Sequence, residues 1–151
     1  MQVLDSNIVK ELVDRLQGLR PETRALWGKM NAHQMVCHLS DSFSLAMSEK
    51  KASENITFLN RTLIRWISLH SPMVWPKGVP TRPEMDQLAS GTRPGEFVGD
   101  IAALAAAIQR FAQQPRTFYF ARHPLFGDMT EWEWMRWGYL HADHHFRQFG
   151  V

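Results

Sequence analysis

The sequence predicts an all-α protein: a four-helix bundle with one extra helix and a long proline-rich connection. Three observations carry this expectation. Apolar residues return at helical steps of three and four in four or five separate stretches. Capping residues, glycines and prolines bracket those stretches. Alternating strand patterns are missing apart from a short run at 117–120, and no repeat or low-complexity tract interrupts the chain.

The first helix follows the cap residues Asp5, Ser6 and Asn7, carries Ile8, Leu12, Leu16 and Leu19, and stops at Gly18 and Pro21. A connector over residues 20–30 leads to a second helix from Asn31 to about Ser48, with Met35, His38, Ser42 and Leu45 on one seam. A third helix over residues 55–69 would bury Ile56, Leu59, Leu63, Trp66 and Ile67. Residues 71–99 then hold five prolines and four glycines. Met73, Trp75, Met85 and Phe97 within this stretch are too apolar to be left in water, so it is expected to lie against the bundle, with a turn of helix at 85–89. Asp100 is expected to cap an alanine-rich helix whose inward row is Ile101, Leu104, Ile108 and Phe111, and Pro115 ends it. An apolar connector, pinned to the body, reaches the last helix. That helix opens on the capping-box pattern Thr130-x-x-Glu133 and closes at Gly150.

At 151 residues the chain is expected to form a single domain over 1–151. Its 44% hydrophobic and 21% charged content is that of an ordinary globular protein. A net charge of +2, with scattered basic residues, argues against a nucleic-acid partner, and no apolar run approaches a membrane span. The N-terminus does not have the form of a signal peptide, and the single Cys37 excludes an internal disulfide; both fit a cytoplasmic protein.

On the last helix Trp134, Gly138, His141, His145 and Gln148 share one seam, so two imidazoles stand one turn apart and can reach a common point. His38 occupies the inward seam of the second helix. Where the two helices are neighbours, three imidazoles converge, leaving a fourth position open as in catalytic zinc sites. A lone helical histidine is more often packed or solvated than a ligand, and a bland helix face can carry two. Asp41, one turn after His38, is a candidate to orient its ring, and Gln148 is one for His145. Trp134 and Trp137 could wall a pocket above the ion, with packing as the plainer role. Gly138 marks close helix approach or room for a ligand. Asp143 and His33 read as solvated, His144 as a surface or interhelical residue, and Cys37 as a small buried apolar group. Lys77, Arg82, Arg93 and Arg122 would meet an anionic substrate if their loops cover the site, and are otherwise solvated.

The combination of NAHQMVCHLSD on one helix with YLHADHHFRQFG on the last resembles the DinB-like, or YfiT-like, metal-binding four-helix bundles. The phrases LWGKM, WPKGVPT and HPLFGDMT resemble a branch of that superfamily without an assigned activity, and the likeness spans nearly the whole chain. It implies His38, His141 and His145 as ligands of one divalent ion, zinc or nickel, with His144 outside the set. It further implies a metal-dependent enzyme acting on a small molecule, either a transferase using a low-molecular-weight thiol or a hydrolase, and often a homodimer. This chain departs from better-known members in its extra helix, its long proline-rich segment and in FRQFG where others read RGQ. The rival expectation is a non-catalytic bundle in which the metal, or the packed histidines alone, is structural and the surface binds a protein partner.

Overall fold

A computed structural model describes residues 1–151 and contains five α-helices and no β-strand. Helices α1 (Ser6–Gln17), α2 (Ala32–Ala46), α4 (Phe97–Ala112) and α5 (Glu131–Gln148) form an all-α bundle, α1 and α2 each packing on both α4 and α5. The short α3 (Arg65–His70) rests on α5 from outside. No helix is long and apolar enough to cross a membrane.

Helix α2 is the central member because its residues are apolar or small almost all round. Met35, Val36, Leu39, Phe43 and Ala46 are fully buried, and a complete Asn31–Gln34 capping box starts it. Helix α4 meets it through Leu104, Ile108 and Phe111, with Ile101 packed at the margin. Helix α5 begins at the expected Thr130–Glu133 box. Phe43, Phe111, Trp134 and Trp137 make edge-to-face and tilted contacts at the bundle centre.

Three expectations are corrected. The third helix does not bury its apolar row: Leu59, Leu63 and Trp66 are each more than half exposed, and Leu69 alone is buried. A π-turn at Asn60–Ile64 shifts the register of that row, and the four bundle positions are already filled. Helix α4 starts three residues before Asp100, with the Glu96 side chain accepting from Val98 N and Gly99 N as the cap. Asp100, in the first turn, instead accepts from Gly95 N and from His33. The run at 117–120 pairs with no strand; the chain's one β-bridge is His123 with Gly127.

The loop between α2 and α4 lies on the bundle, as expected. Pro83–Met85 forms a 3₁₀ turn that starts two residues before the 85–89 turn read from sequence, and Met85 is buried. Asp41 holds this loop: its carboxylate accepts from Gln87 Nε2 (3.1 Å), Thr92 N (2.8 Å) and Thr92 Oγ1 (2.6 Å), and pairs with Lys50 at 2.7 Å. Asp143, expected in solvent, is paired with Arg15 and Arg147 at 2.9 and 2.8 Å.

Outside the bundle centre, Glu133 anchors α3 to α5. Its carboxylate takes two hydrogen bonds from Arg65, at 2.7 and 2.6 Å, and one from Thr130 N. Burial alone would raise its pKa, but Arg65, Thr130 and His70 outweigh it and hold the group at about 2. The stabilisation is therefore complete above the ordinary value of 4.5 and fades as pH falls toward about 2. Glu133→Ala should lower stability by about 3 kcal/mol at neutral pH, because the Arg65 charge loses its partner. Urea denaturation should show that gap shrinking steadily below about pH 4.5.

Candidate metal centre and its cavity

Helices α2 and α5 bring His38, His141 and His145 together, each at least nine-tenths buried or lining the same cavity, with one ring nitrogen from each within 4.8 Å of the others. His38 Nε2 and His141 Nε2 are 3.2 Å apart. Nitrogens bound tetrahedrally to zinc at about 2.0–2.1 Å would stand about 3.3 Å from each other, so this spacing fits a shared ion.

The hydrogen bonds around the rings settle two tautomers. His38 Nδ1 lies 3.0 Å from Met85 O, and a carbonyl only accepts, so Nδ1 donates and Nε2 is left bare. Gln148 Nε2 donates to Trp27 O at 2.7 Å, which fixes the amide with Oε1 toward His145. His145 Nδ1 then donates to Oε1 at 2.8 Å, and its Nε2 is bare as well. His141 Nδ1 is buried with no partner. Burial, and after it the neighbouring imidazoles, hold His141 and His145 well below the ordinary histidine range; burial lowers His38 as well. Neutral rings are the protonation state metal binding requires; His38 and His145 already present bare Nε2 atoms, whereas His141 Nε2, 3.2 Å from the bare His38 Nε2, is placed to donate to it until an ion takes its proton's place.

Gln148 thus takes the orienting position expected of it, whereas Asp41 hydrogen-bonds no imidazole and reaches His38 through the loop that supplies Met85 O. Sequence spacing could not reveal the Met85 carbonyl, because a backbone acceptor has no residue signature. Gly28 sits at φ +83°, a left-handed conformation, and a Cβ there would come within 2.5 Å of Gln148 Nε2.

The triad lies at one side of a cavity of about 750 Å³. Trp27, Trp75, Met85, Phe126 and Trp137 are among its walls. Trp137 is where the sequence placed it, 5.0 Å from the His141 ring. Trp134 and Gly138 take the packing alternative read for them rather than the pocket one. Trp134 is fully buried in the core, and a Cβ on Gly138 would meet Leu4 and Phe111 at 2.6 and 3.1 Å, so that glycine permits close packing rather than ligand room. His144 lines the cavity beside Trp27 and Trp75. Lys77, over the Trp27 ring at 4.3 Å, and Arg82, bonded to Ser53 O, are held by the protein, and Arg122 pairs with Glu54.

On the opposite face of α2, His33 is part-buried and its Nε2 lies 2.7 Å from Asp100, while Cys37 Sγ lies 3.7 Å from the same oxygen. Burial and this carboxylate push the Cys37 thiol up to about 12, so it is a protonated, inert group.

A family model described as "Protein of unknown function (DUF1569)" matches residues 2–150. No curated protein and no solved structure matches the chain.

Replacing Gln148 by Leu should leave the fold intact and weaken zinc binding about 10- to 100-fold, because His145 loses the acceptor that sets its tautomer. Competition against a chromophoric chelator reads this directly, with wild-type protein as reference.

Proposed function

The chain belongs to the DUF1569 family, and from that premise we propose that it is a DinB-like, metal-dependent enzyme acting on a small molecule at a mononuclear three-histidine centre. One observation carries the reading: three neutral imidazoles, two of them with bare Nε2 atoms, converge beside a large, mostly apolar cavity that all three line. Structural zinc sites are closed by four protein ligands, whereas catalytic ones keep a position free. Only three donors converge here, and the cavity provides the space for a fourth from outside.

His38, His141 and His145 would hold the ion, zinc or nickel. The ion would supply Lewis acidity toward a thiol or a water at its open position. Met85 O and Gln148 hold the His38 and His145 rings with Nε2 toward the point an ion would occupy, leaving His141 to adjust. Trp27, Trp75 and Trp137 give the cavity apolar walls beside the triad. No carboxylate hydrogen-bonds the triad, so this chain supplies no carboxylate base beside the point an ion would occupy. Thiol-dependent transfer and hydrolysis are the two chemistries that this donor set and the resemblance to DinB-like proteins support.

Protein purified without a tag and reconstituted with zinc should retain about one ion per chain, falling to a small fraction in His141→Ala and His38→Ala. A panel of low-molecular-weight thiols with electrophiles, run beside ester and amide substrates, should show turnover that disappears on metal stripping and returns on readdition. Metal bound at full stoichiometry, with no turnover in either panel and a melting temperature that drops on stripping, would instead identify a structural centre.

A further inference from the structure

His123 lies in the connector before α5 and also lines the triad's cavity. The turn His123-Pro124-Leu125-Phe126-Gly127 closes with Gly127 at φ +71° and paired backbone hydrogen bonds between residues 123 and 127. This turn aims two amides, Leu125 N at 3.2 Å and Phe126 N at 3.1 Å, at His123 Nδ1. Both amides donate, so Nδ1 is an acceptor and the ring proton resides on Nε2. Nε2 bonds to no protein group, yet it is not among the sealed, unpartnered atoms of the interior. The ring itself cannot drift: it stacks on Phe126 at 4.4 Å and is packed against Trp134 and Trp137.

A buried residue whose orientation is fixed by two backbone amides, and whose donor faces a cavity without a partner, is a binding group in search of an acceptor. We propose that His123 Nε2–H is the substrate-recognition donor of this cavity, holding a carbonyl or carboxylate oxygen of a ligand whose other end faces the histidine triad. The proposal deepens the enzymatic reading above and rests on it. Trp137 stands between the two ends, its ring 5.8 Å from His123 and 5.0 Å from His141. The ligand class is therefore a small organic molecule with a flat or apolar midsection across Trp137 and an oxygen acceptor at one end. Neutrality supports the role. Burial first, then the nearby Arg82 and Arg65 charges, hold His123 at about 3, and no carboxylate contributes to its shift. The group stays a neutral donor across the physiological range, with a positive surrounding that favours a carboxylate over an amine.

The test reads the His123 ring itself. In ¹⁵N-labelled, metal-stripped protein, long-range ¹H–¹⁵N spectra should show Nδ1 unprotonated and Nε2 protonated from about pH 8 to about pH 5. A protonated Nδ1, or an imidazolium in that range, overturns the proposal. Titration with benzoate should move the Nε2–H signal saturably, while benzylamine, which has the ring without the acceptor, leaves it in place. Benzoate affinity should fall about tenfold in His123→Phe and less in His123→Gln, which keeps an N–H. Absence of saturable benzoate binding, saturation without a shift at Nε2, or equal affinity in His123→Phe overturns it. Zinc stoichiometry measured on the same preparations reports separately on the triad, so failure of the donor and failure of the metal centre are distinguishable.

Discussion

Two hydrogen bonds at the back of the imidazole cluster govern this structure: His38 Nδ1 to Met85 O, and His145 Nδ1 to Gln148 Oε1. Each fixes which nitrogen of its ring is bare, and together they turn two packed histidines into a pair of oriented lone pairs. Without them the same rings could satisfy themselves by donating to one another, and the cluster would be ordinary buried polarity. The cost of burying three imidazoles is accepted only because two of them are bonded at the back and all three stay uncharged.

These bonds make the irregular parts of the chain responsible for the chemistry of the regular parts. Met85 belongs to the proline-rich loop, and that loop is held by Asp41, one turn along the helix that carries His38. Helix α2 thus supplies a donor atom and, through its own carboxylate, the backbone segment that orients it. Similarly, Trp27 O in the first connector fixes the Gln148 amide, and Leu26 N donates to Gln148 O, so the 20–30 segment is tied to the end of α5.

Much of this was legible in the sequence. The caps at Asp5, Asn31 and Thr130 and the inward rows of α1, α2 and α4 follow from local periodicity, which the bundle obeys. The seam of α5 also placed His141, His145 and Gln148 on the cavity side. Trp134 and Gly138 share that seam yet pack in the core, the other role read for them, because a helix as enclosed as α5 is packed on several faces and a single seam does not separate cavity from core. The third helix misled for the opposite reason: Leu59, Leu63 and Trp66 have core-type side chains in a segment that reaches no core. Backbone acceptors such as Met85 O and turn geometry such as that at His123 carry no pattern readable before folding. The pairing of His33 with Asp100 was hidden by a separation of 67 residues.

Gly28 shows how far the reach of the centre extends into a stretch with no helix. A side chain there would strain the left-handed backbone and push into the amide of Gln148, whose displacement would free the His145 ring to rotate. Among chains descended from this one, position 28 should be as resistant to drift as the three histidines themselves, although it lies more than a hundred residues from His145 in sequence. Mutational tolerance at this locus would then be a record of ring orientation and not of folding.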